Sequence, residues 1–317
     1  MMENENEILL EAKNLVKTFG NVRAVDGLDL QVRAGEMVGL VGPDGAGKTT
    51  AIRLMCGLLQ ADSGLIRLGG YEIPAQVEKA REELGYLAQR FSLYGDLTVK
   101  ENLNFFGEVF GMPDAERAQR SEELLRFAGL EEFANRPASA LSGGMQKKLG
   151  LASALVHHPK VLLLDEPTGA VDPIARQEFW HLLIRLLRDG SAVLVSTPYM
   201  DEAMRFNRVI FMNHGKALIQ GAPRELMGRL AGRILELAAT PQMAAREIAA
   251  QDPDVEDVHT FGEHLHLRIR SVEGPMQRIP ERLAAAGITM THLIPVSPTL
   301  EDVFIQLLEM EGEPHGV

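Results

Sequence analysis

The chain has 317 residues, 45% of them hydrophobic and 24% charged, the proportions of a folded globular protein rather than of a disordered or fibrous one. Acidic side chains outnumber basic ones, 44 against 32, and the net charge of -12 argues against a protein that coats nucleic acid with a basic face. A single cysteine, Cys56, excludes an intrachain disulfide framework and any multi-cysteine metal or iron–sulfur site, and suits a reducing compartment.

The acidic beginning, Met1 to Glu7, lacks the basic and apolar regions of a signal peptide. No apolar run approaches the roughly 18 residues that cross a bilayer, so work at a membrane would require another chain to span it. The first strong signal is the apolar run Met37–Val41, which reads as a central parallel strand. It runs into Gly42, Pro43, Asp44, Gly45, Ala46, Gly47, Lys48, Thr49 and Thr50, a match to G-x-x-x-x-G-K-[ST]. The glycines let successive backbone N–H groups curl around a phosphate, and the following helix adds its partial positive charge. In such a loop Lys48 reaches the β and γ phosphates and the Thr49 hydroxyl ligates Mg2+. Ile52, Met55, Cys56 and Leu59 follow at helical spacing and place Cys56 on an apolar face, where core packing is its expected role.

Residues 105–129 read as a charge-rich helical insertion broken by Gly107, Gly111 and Pro113. Further on stand Leu141, Ser142, Gly143, Gly144, Met145 and Gln146, with Lys147 and Lys148 read equally as a helix stretch near phosphate or as a solvated face. His157 and His158, followed by Pro159, read as a helix end, since no partner stands at metal-ligand spacing. Residues 161–164 form a second apolar strand, ending in Asp165 and Glu166. Adjacent acids there suit a solvated helix start, but downstream of a phosphate loop they suit better a carboxylate that holds Mg2+ and one that orients the attacking water. Phe179, Leu182, Leu183 and Leu186 mark another helix, and residues 192–196 a third strand. That strand runs through Pro198 into Tyr199, Met200, Asp201, Glu202 and Ala203, with Pro198 expected in the first turn of a helix whose dipole Asp201 and Glu202 complement. Strands alternating with helices predict an α/β fold.

The pattern changes around Gly221, Ala222 and Pro223. The tail reads as a strand at 233–237, a helix at 243–250, two strands within 255–270, a helix at 275–286, a strand at 288–295 and a helix at 299–310, the order of a ferredoxin-like module. No polar cluster marks a pocket in this tail, so docking or dimer stabilisation is expected of it rather than ligand sensing.

Taken with Gln89 and the Leu141–Gln146 string, the assembly over roughly residues 8–221 resembles the ATP-binding cassette (ABC) ATPases. The resemblance implies a P-loop NTPase of ABC type, with a central mostly parallel sheet, an antiparallel β subdomain and an inserted helical subdomain, spanning 7–222, and a small C-terminal α+β domain at 230–317. Phe19 resembles the aromatic that stacks on adenine, and Gln89 the glutamine that senses Mg2+ and the γ-phosphate. Glu166 would be the catalytic base, with Thr49, Gln89 and Asp165 around the metal. Ser142, Gly143 and Gly144 would serve ATP held by a second cassette, homo- or heterodimeric, and Asp172 would lie in the loop that crosses that interface. Met145 and Val171 replace the usual glutamine of the signature and leucine of that loop.

Ser297, Pro298, Thr299, Leu300, Glu301, Asp302, Val303 and Phe304 are similar to the ending of bacterial drug-exporter cassettes of the daunorubicin-resistance type. The implied cofactors are ATP and Mg2+, and the implied partner is an integral-membrane permease that holds the chain at the cytoplasmic face of the inner membrane. No nucleic-acid partner is implied: cassettes of translation or DNA repair carry two copies or a long coiled coil between loop and signature. The family normally has a histidine at position 198. Proline supplies neither its side-chain donor nor a backbone N–H, so hydrolysis at the chain's own site is expected to be impaired, and a nucleotide-gated cassette without useful turnover is the alternative.

Overall fold

The computed structural model describes residues 7–312, and the chain falls into two compact units that meet at Gln220 and Gly221. The first unit opens with two long strands, β1 (Ile8–Phe19) and β2 (Val22–Arg33), then β3 (Met37–Val41) and helix α1 (Lys48–Met55). Strands β4 (Ser63–Leu68) and β5 (Tyr71–Ile73), helix α2 (Val77–Glu82) and strand β6 (Leu84–Leu87) come next. Helices α3 (Val99–Val109), α4 (Asp114–Ala128) and α5 (Gly143–Ala154) form a helical insertion. The unit closes with β7 (Val161–Asp165), α6 (Pro173–Arg188), β8 (Ala192–Thr197), α7 (Met200–Ala203), β9 (Arg208–Asn213) and β10 (Lys216–Gly221).

Six strands make the central sheet in the order β10-β9-β3-β8-β7-β6, and β9-β3-β8-β7-β6 pair in parallel. Every residue of β3, β7 and β8 is buried, as strands covered on both faces must be. The parallel register brings the C-terminal ends of β3, β8 and β7 side by side, with Val41 opposite Thr197 and Asp165 opposite Ser196. Loops from such adjacent strand ends create the crevice where open α/β sheets bind ligands. A separate antiparallel sheet, β2-β1-β4-β5, packs its apolar face with α1 and the central sheet into one core.

The structure corrects several local expectations. Helix α1 stops at Met55, so Leu59 lies beyond it and packs against the core from the following loop. Gly107 does not interrupt the insertion but lies inside α3, where a Cβ would come within 2.8 Å of the Arg117 side chain on α4. The absent side chain lets the two helices approach closely. The helix also starts earlier than expected, because Thr98 and Glu101 form a reciprocal capping box. His157 stacks on Phe110 with ring centroids 3.6 Å apart, and burial drives its pKa down to about 4, keeping the imidazole neutral.

The second unit begins with α8 (Pro223–Gly228), in the stretch that the sequence reading left between its two domains. It continues with β11 (Ile234–Thr240), α9 (Gln242–Ala250), β12 (Val255–Phe261), β13 (His264–Ile269), α10 (Glu273–Ala285), β14 (Thr289–Pro295) and α11 (Leu300–Met310). Its antiparallel sheet has the order β12-β13-β11-β14, the arrangement of a ferredoxin-like module. Leu265, Leu267 and Ile269 face a core shared with Ala245 and Ala249 of α9 and Ile279 and Leu283 of α10. The alternate residues of β13, His264, His266 and Arg268, take the other face, over which α11 lays Asp302 and Glu309. Among the described residues no helix is long and apolar enough to cross a membrane.

Candidate nucleotide site

The loop between β3 and α1 is wound in a way that requires glycine. Gly45 and Gly47 have φ of +82° and +101°, and a Cβ on Gly42 or Gly47 would come within 2.1 Å of the Met212 carbonyl or 2.2 Å of the Ala24 carbonyl. The loop therefore packs down against its neighbours, with the Gly42 N–H donating to the Thr197 carbonyl and the Ala46 N–H to the Pro43 carbonyl. It borders a cleft of about 510 Å³ lined by Asp44 to Thr50 together with Asn21, Arg23, Glu166 and His214. Lys48 is nearly buried, and its ammonium donates to the carbonyls of Gly42 at 2.7 Å and Pro43 at 2.9 Å. Burial lowers its pKa, while Glu166, Asp44 and Asp165 pull the other way.

The two carboxylates after β7 have different surroundings. Asp165 is fully buried; its Oδ1 accepts from the hydroxyls of Thr49 at 3.0 Å and Ser196 at 2.6 Å. Its Oδ2 is buried without a hydrogen-bond partner among the described residues. A lone carboxylate oxygen beside a threonine hydroxyl at the foot of a phosphate loop is the donor set that a hard cation such as Mg2+ takes, so the residues fit that ion. Glu166 adopts φ +46°, a strained conformation for a glutamate. Hydrogen bonds hold it there: its N–H donates to the Ser196 carbonyl and hydroxyl, and its Oε2 accepts from Gln89 Nε2 at 2.8 Å.

Sequence reasoning missed two participants. Lys147, read as either near phosphate or on a solvated face, donates to the Gln89 carbonyl at 2.6 Å and reaches the Glu166 carbonyl at 3.4 Å, tying the two loops together. Burial lowers its pKa against the pull of Asp165 and Glu166. Lys148 is also paired, with Glu178. Nothing in the local sequence marks these lysines, because their partners lie across the fold. Ser196 was within reach of sequence reasoning, as a hydroxyl near the end of a largely apolar strand two places from the proline.

Pro198 follows directly on Thr197, whose carbonyl accepts from the Gly42 N–H at 3.3 Å, so it sits at the strand end between the phosphate loop and Glu166. It is not in the first turn of a helix, as expected from sequence. Helix α7 begins at Met200 with Tyr199 as its N-cap residue, and the Tyr199 N–H donates to the Thr197 hydroxyl. Nor does Glu202 simply complement a dipole: it is buried and accepts from the hydroxyls of Thr168 at 2.5 Å and Thr197 at 2.7 Å. That bracing keeps the strand end in place whatever residue stands at 198.

The remaining predicted residues lie outside the cleft lining. Phe19 is exposed at the end of β1, with the Lys17 ammonium 5.4 Å from its ring centroid. Ser142 and Gly143 are exposed at the N-terminus of α5, where Ser142 caps the helix by accepting from the Met145 N–H. Gly144 is buried against α6, where its Cβ would come within 2.5 Å of Ala175 Cβ. Asp172 caps α6 through the N–H groups of Ile174 and Ala175. Ser142 and Gly143 thus offer a hydroxyl, an N–H and a helix N-terminus to something other than the cleft formed by Lys48 and Thr49.

Comparison with known proteins gives a consistent picture. Residues 25–169 match the family described as ABC transporter, and residues 221–308 the C-terminal domain of DrrA1-3-like ATP-binding proteins. The probable multidrug ABC transporter ATP-binding protein YbhF of Escherichia coli is 40% identical over 97% of this chain, which spans only 53% of that relative's length. The Nod factor export ATP-binding protein I of Ralstonia nicotianae is 37% identical over 96% of this chain and 94% of its own. Among solved structures, a dimeric bacterial ABC transporter cassette superposes with a TM-score of 0.62 at 30% identity, covering 67% of this chain and 98% of that one. A dimeric cassette in a post-hydrolysis state with ADP and Pi gives 0.61 at 29%, over the same shares.

Proposed function

The chain belongs to the ATP-binding proteins of ABC transporters, with a DrrA-like C-terminal domain, and from that membership we propose that it binds Mg-ATP and energises export by a separate membrane permease. The observation that carries the reading is the convergence at three adjacent strand ends of the glycine loop, the partnerless Asp165 oxygen and a Glu166 held by Gln89. In this reading the loop N–H groups and Lys48 take the phosphates, and Thr49, Asp165 and Gln89 surround Mg2+. Mg2+ held by these residues would supply positive charge against the charge that develops on the phosphate. Glu166 orients and deprotonates the attacking water, and Phe19 stacks on adenine from a second, more open side. Ser142, Gly143 and Gly144 close over the nucleotide of a second cassette, since they stand outside their own chain's cleft. The export direction follows the relative named for Nod factor export, and the permease follows from the relative named as the ATP-binding protein of a multidrug ABC transporter. The permease would hold the chain at the cytoplasmic face of the membrane and select the substrate.

Pro198 favours a second reading for this chain's own site. A proline between Gly42 and Glu166 offers no donor to a γ-phosphate, so the site serves as a nucleotide-gated clamp whose signature helix completes a competent site on a partner. Both readings are tested by titrating the purified chain with a fluorescent ATP analogue and by recovering a tagged chain from detergent-solubilised membranes. We expect saturable binding that Lys48→Ala weakens at least tenfold, and an integral-membrane protein in the recovered complex. Unchanged binding by Lys48→Ala, or recovery of the chain alone, would overturn the assignment.

A further inference from the structure

The C-terminal unit holds a cluster that no tally of its tail foresaw. We propose that Glu236, His264 and His292 form a transition-metal site of the zinc class, with His266 standing beside Glu236.

The register of the sheet creates the cluster. Glu236 of β11 pairs with His266 of β13, and Ala238, two residues on, pairs with His292 of β14. Residues two apart share a face of a strand, so Glu236, His264, His266 and His292 all stand on the sheet face opposite the apolar core. One ligand atom from each of Glu236, His264 and His292 lies within 4.8 Å of the others. His292 Nε2 is 2.9 Å from Glu236 Oε1, and His266 Nε2 is 3.7 Å from Glu236 Oε2, too long for a hydrogen bond. Donors around a tetrahedral zinc ion lie about 3.4 Å apart, given bonds of roughly 2.0–2.1 Å. The three atoms of the trio, all within 4.8 Å of one another, are near that spacing.

Two further features point to an ion rather than to a chance gathering of side chains. His264 Nδ1 is buried with no hydrogen-bond partner among the described residues, a costly state for an imidazole that nothing occupies. His266 Nδ1 lies 2.8 Å from Asp302 Oδ1 and its Nε2 stands on the Glu236 side, so an imidazole protonated at Nδ1 would turn its Nε2 lone pair toward Glu236. A carboxylate behind a histidine in this way is the usual support of a metal-bound imidazole. Asp302 is fixed in turn by the N–H and hydroxyl of Thr299, and His259 Nε2 lies 2.9 Å from its Oδ1. Imidazole and carboxylate donors without thiolates select zinc and its transition-metal neighbours over Mg2+ or Ca2+. The Glu236 and His292 side chains are 22% and 31% exposed, enough for an ion to enter from solvent.

The proposal does not depend on the nucleotide reading and is tested without nucleotide. The full chain, stripped of metal by a chelator, is titrated with Co2+ and then with Zn2+. The expected result is one Co2+ per chain with the strong visible absorption of tetrahedral cobalt, displaced by Zn2+, and a raised thermal midpoint for the Zn2+ form. His264→Ala/His292→Ala abolishes the cobalt spectrum. The near-isosteric Glu236→Gln, which spares the fold, weakens binding by more than the roughly 10–100-fold typical of losing a supporting partner. Exposed His181→Ala leaves binding unchanged. No saturable Co2+ binding by the unmodified chain, or equal affinity in Glu236→Gln, overturns the site.

Discussion

Lys147 shows how a single side chain far from the phosphate loop can set the geometry of the site. Its ammonium bridges the carbonyls of Gln89 and Glu166, the two residues whose side chains already meet at 2.8 Å. The bridge holds Glu166 in a left-handed conformation that a glutamate resists. A hydrogen bond from a charged donor contributes about 1.5–3 kcal/mol, so Lys147→Met should lower turnover by about 10–100-fold while ATP affinity changes little, because no phosphate contact is lost. Turnover and affinity measured side by side in a Pro198→His background check this; parallel losses in both would mean that Lys147 acts through the nucleotide instead. The same residue marks where sequence reasoning stops. The phosphate loop, Asp165 and Glu166 are legible because each is a run of adjacent residues whose chemistry is local. Lys147 is not, since its partners lie 58 and 19 positions away and only the fold brings them together.

Among the elements, the strands were readable and the helix boundaries less so. Continuous apolar runs identify β3, β7 and β8, because strands buried on both faces leave no polar interruption. Gly107 was misleading, because a glycine that breaks a helix and one that lets two helices touch look alike in sequence. The histidines of β13 were overlooked for a related reason. His264, His266 and Arg268 alternate with Leu265, Leu267 and Ile269, a pattern that announces a two-faced strand, but it takes the neighbouring strands to bring Glu236 and His292 beside them. Gly144 allows the sharpest test at this scale. Its Cβ would come within 2.5 Å of Ala175 Cβ, an atom that cannot swing away. Gly144→Val should therefore push α5 off α6, destabilise the first unit by about 1–3 kcal/mol and displace Ser142 and Gly143. Chemical denaturation reads the first effect, and a midpoint equal to that of the unmodified chain would contradict the packing.

At the scale of the whole molecule, the proposed function has the chain carry one half of each of two sites. The loop that accepts phosphates and the helix end that offers Ser142 and Gly143 occupy different surfaces of the first unit, which suits a pair of cassettes closing around nucleotide. Within that scheme the residues proposed to bind ATP and Glu166 are all present, and Pro198 is the proposed catalytic departure. Glu202 braces the strand end beside Pro198 through Thr168 and Thr197. Losing one preorganised donor at a site of developing charge costs about a hundred- to a thousandfold in rate. The most direct test is steady-state ATP hydrolysis by the purified chain and by Pro198→His at saturating ATP. The account predicts that Pro198→His hydrolyses at least about a hundredfold faster while binding ATP equally well, and equal rates for the two proteins would contradict it.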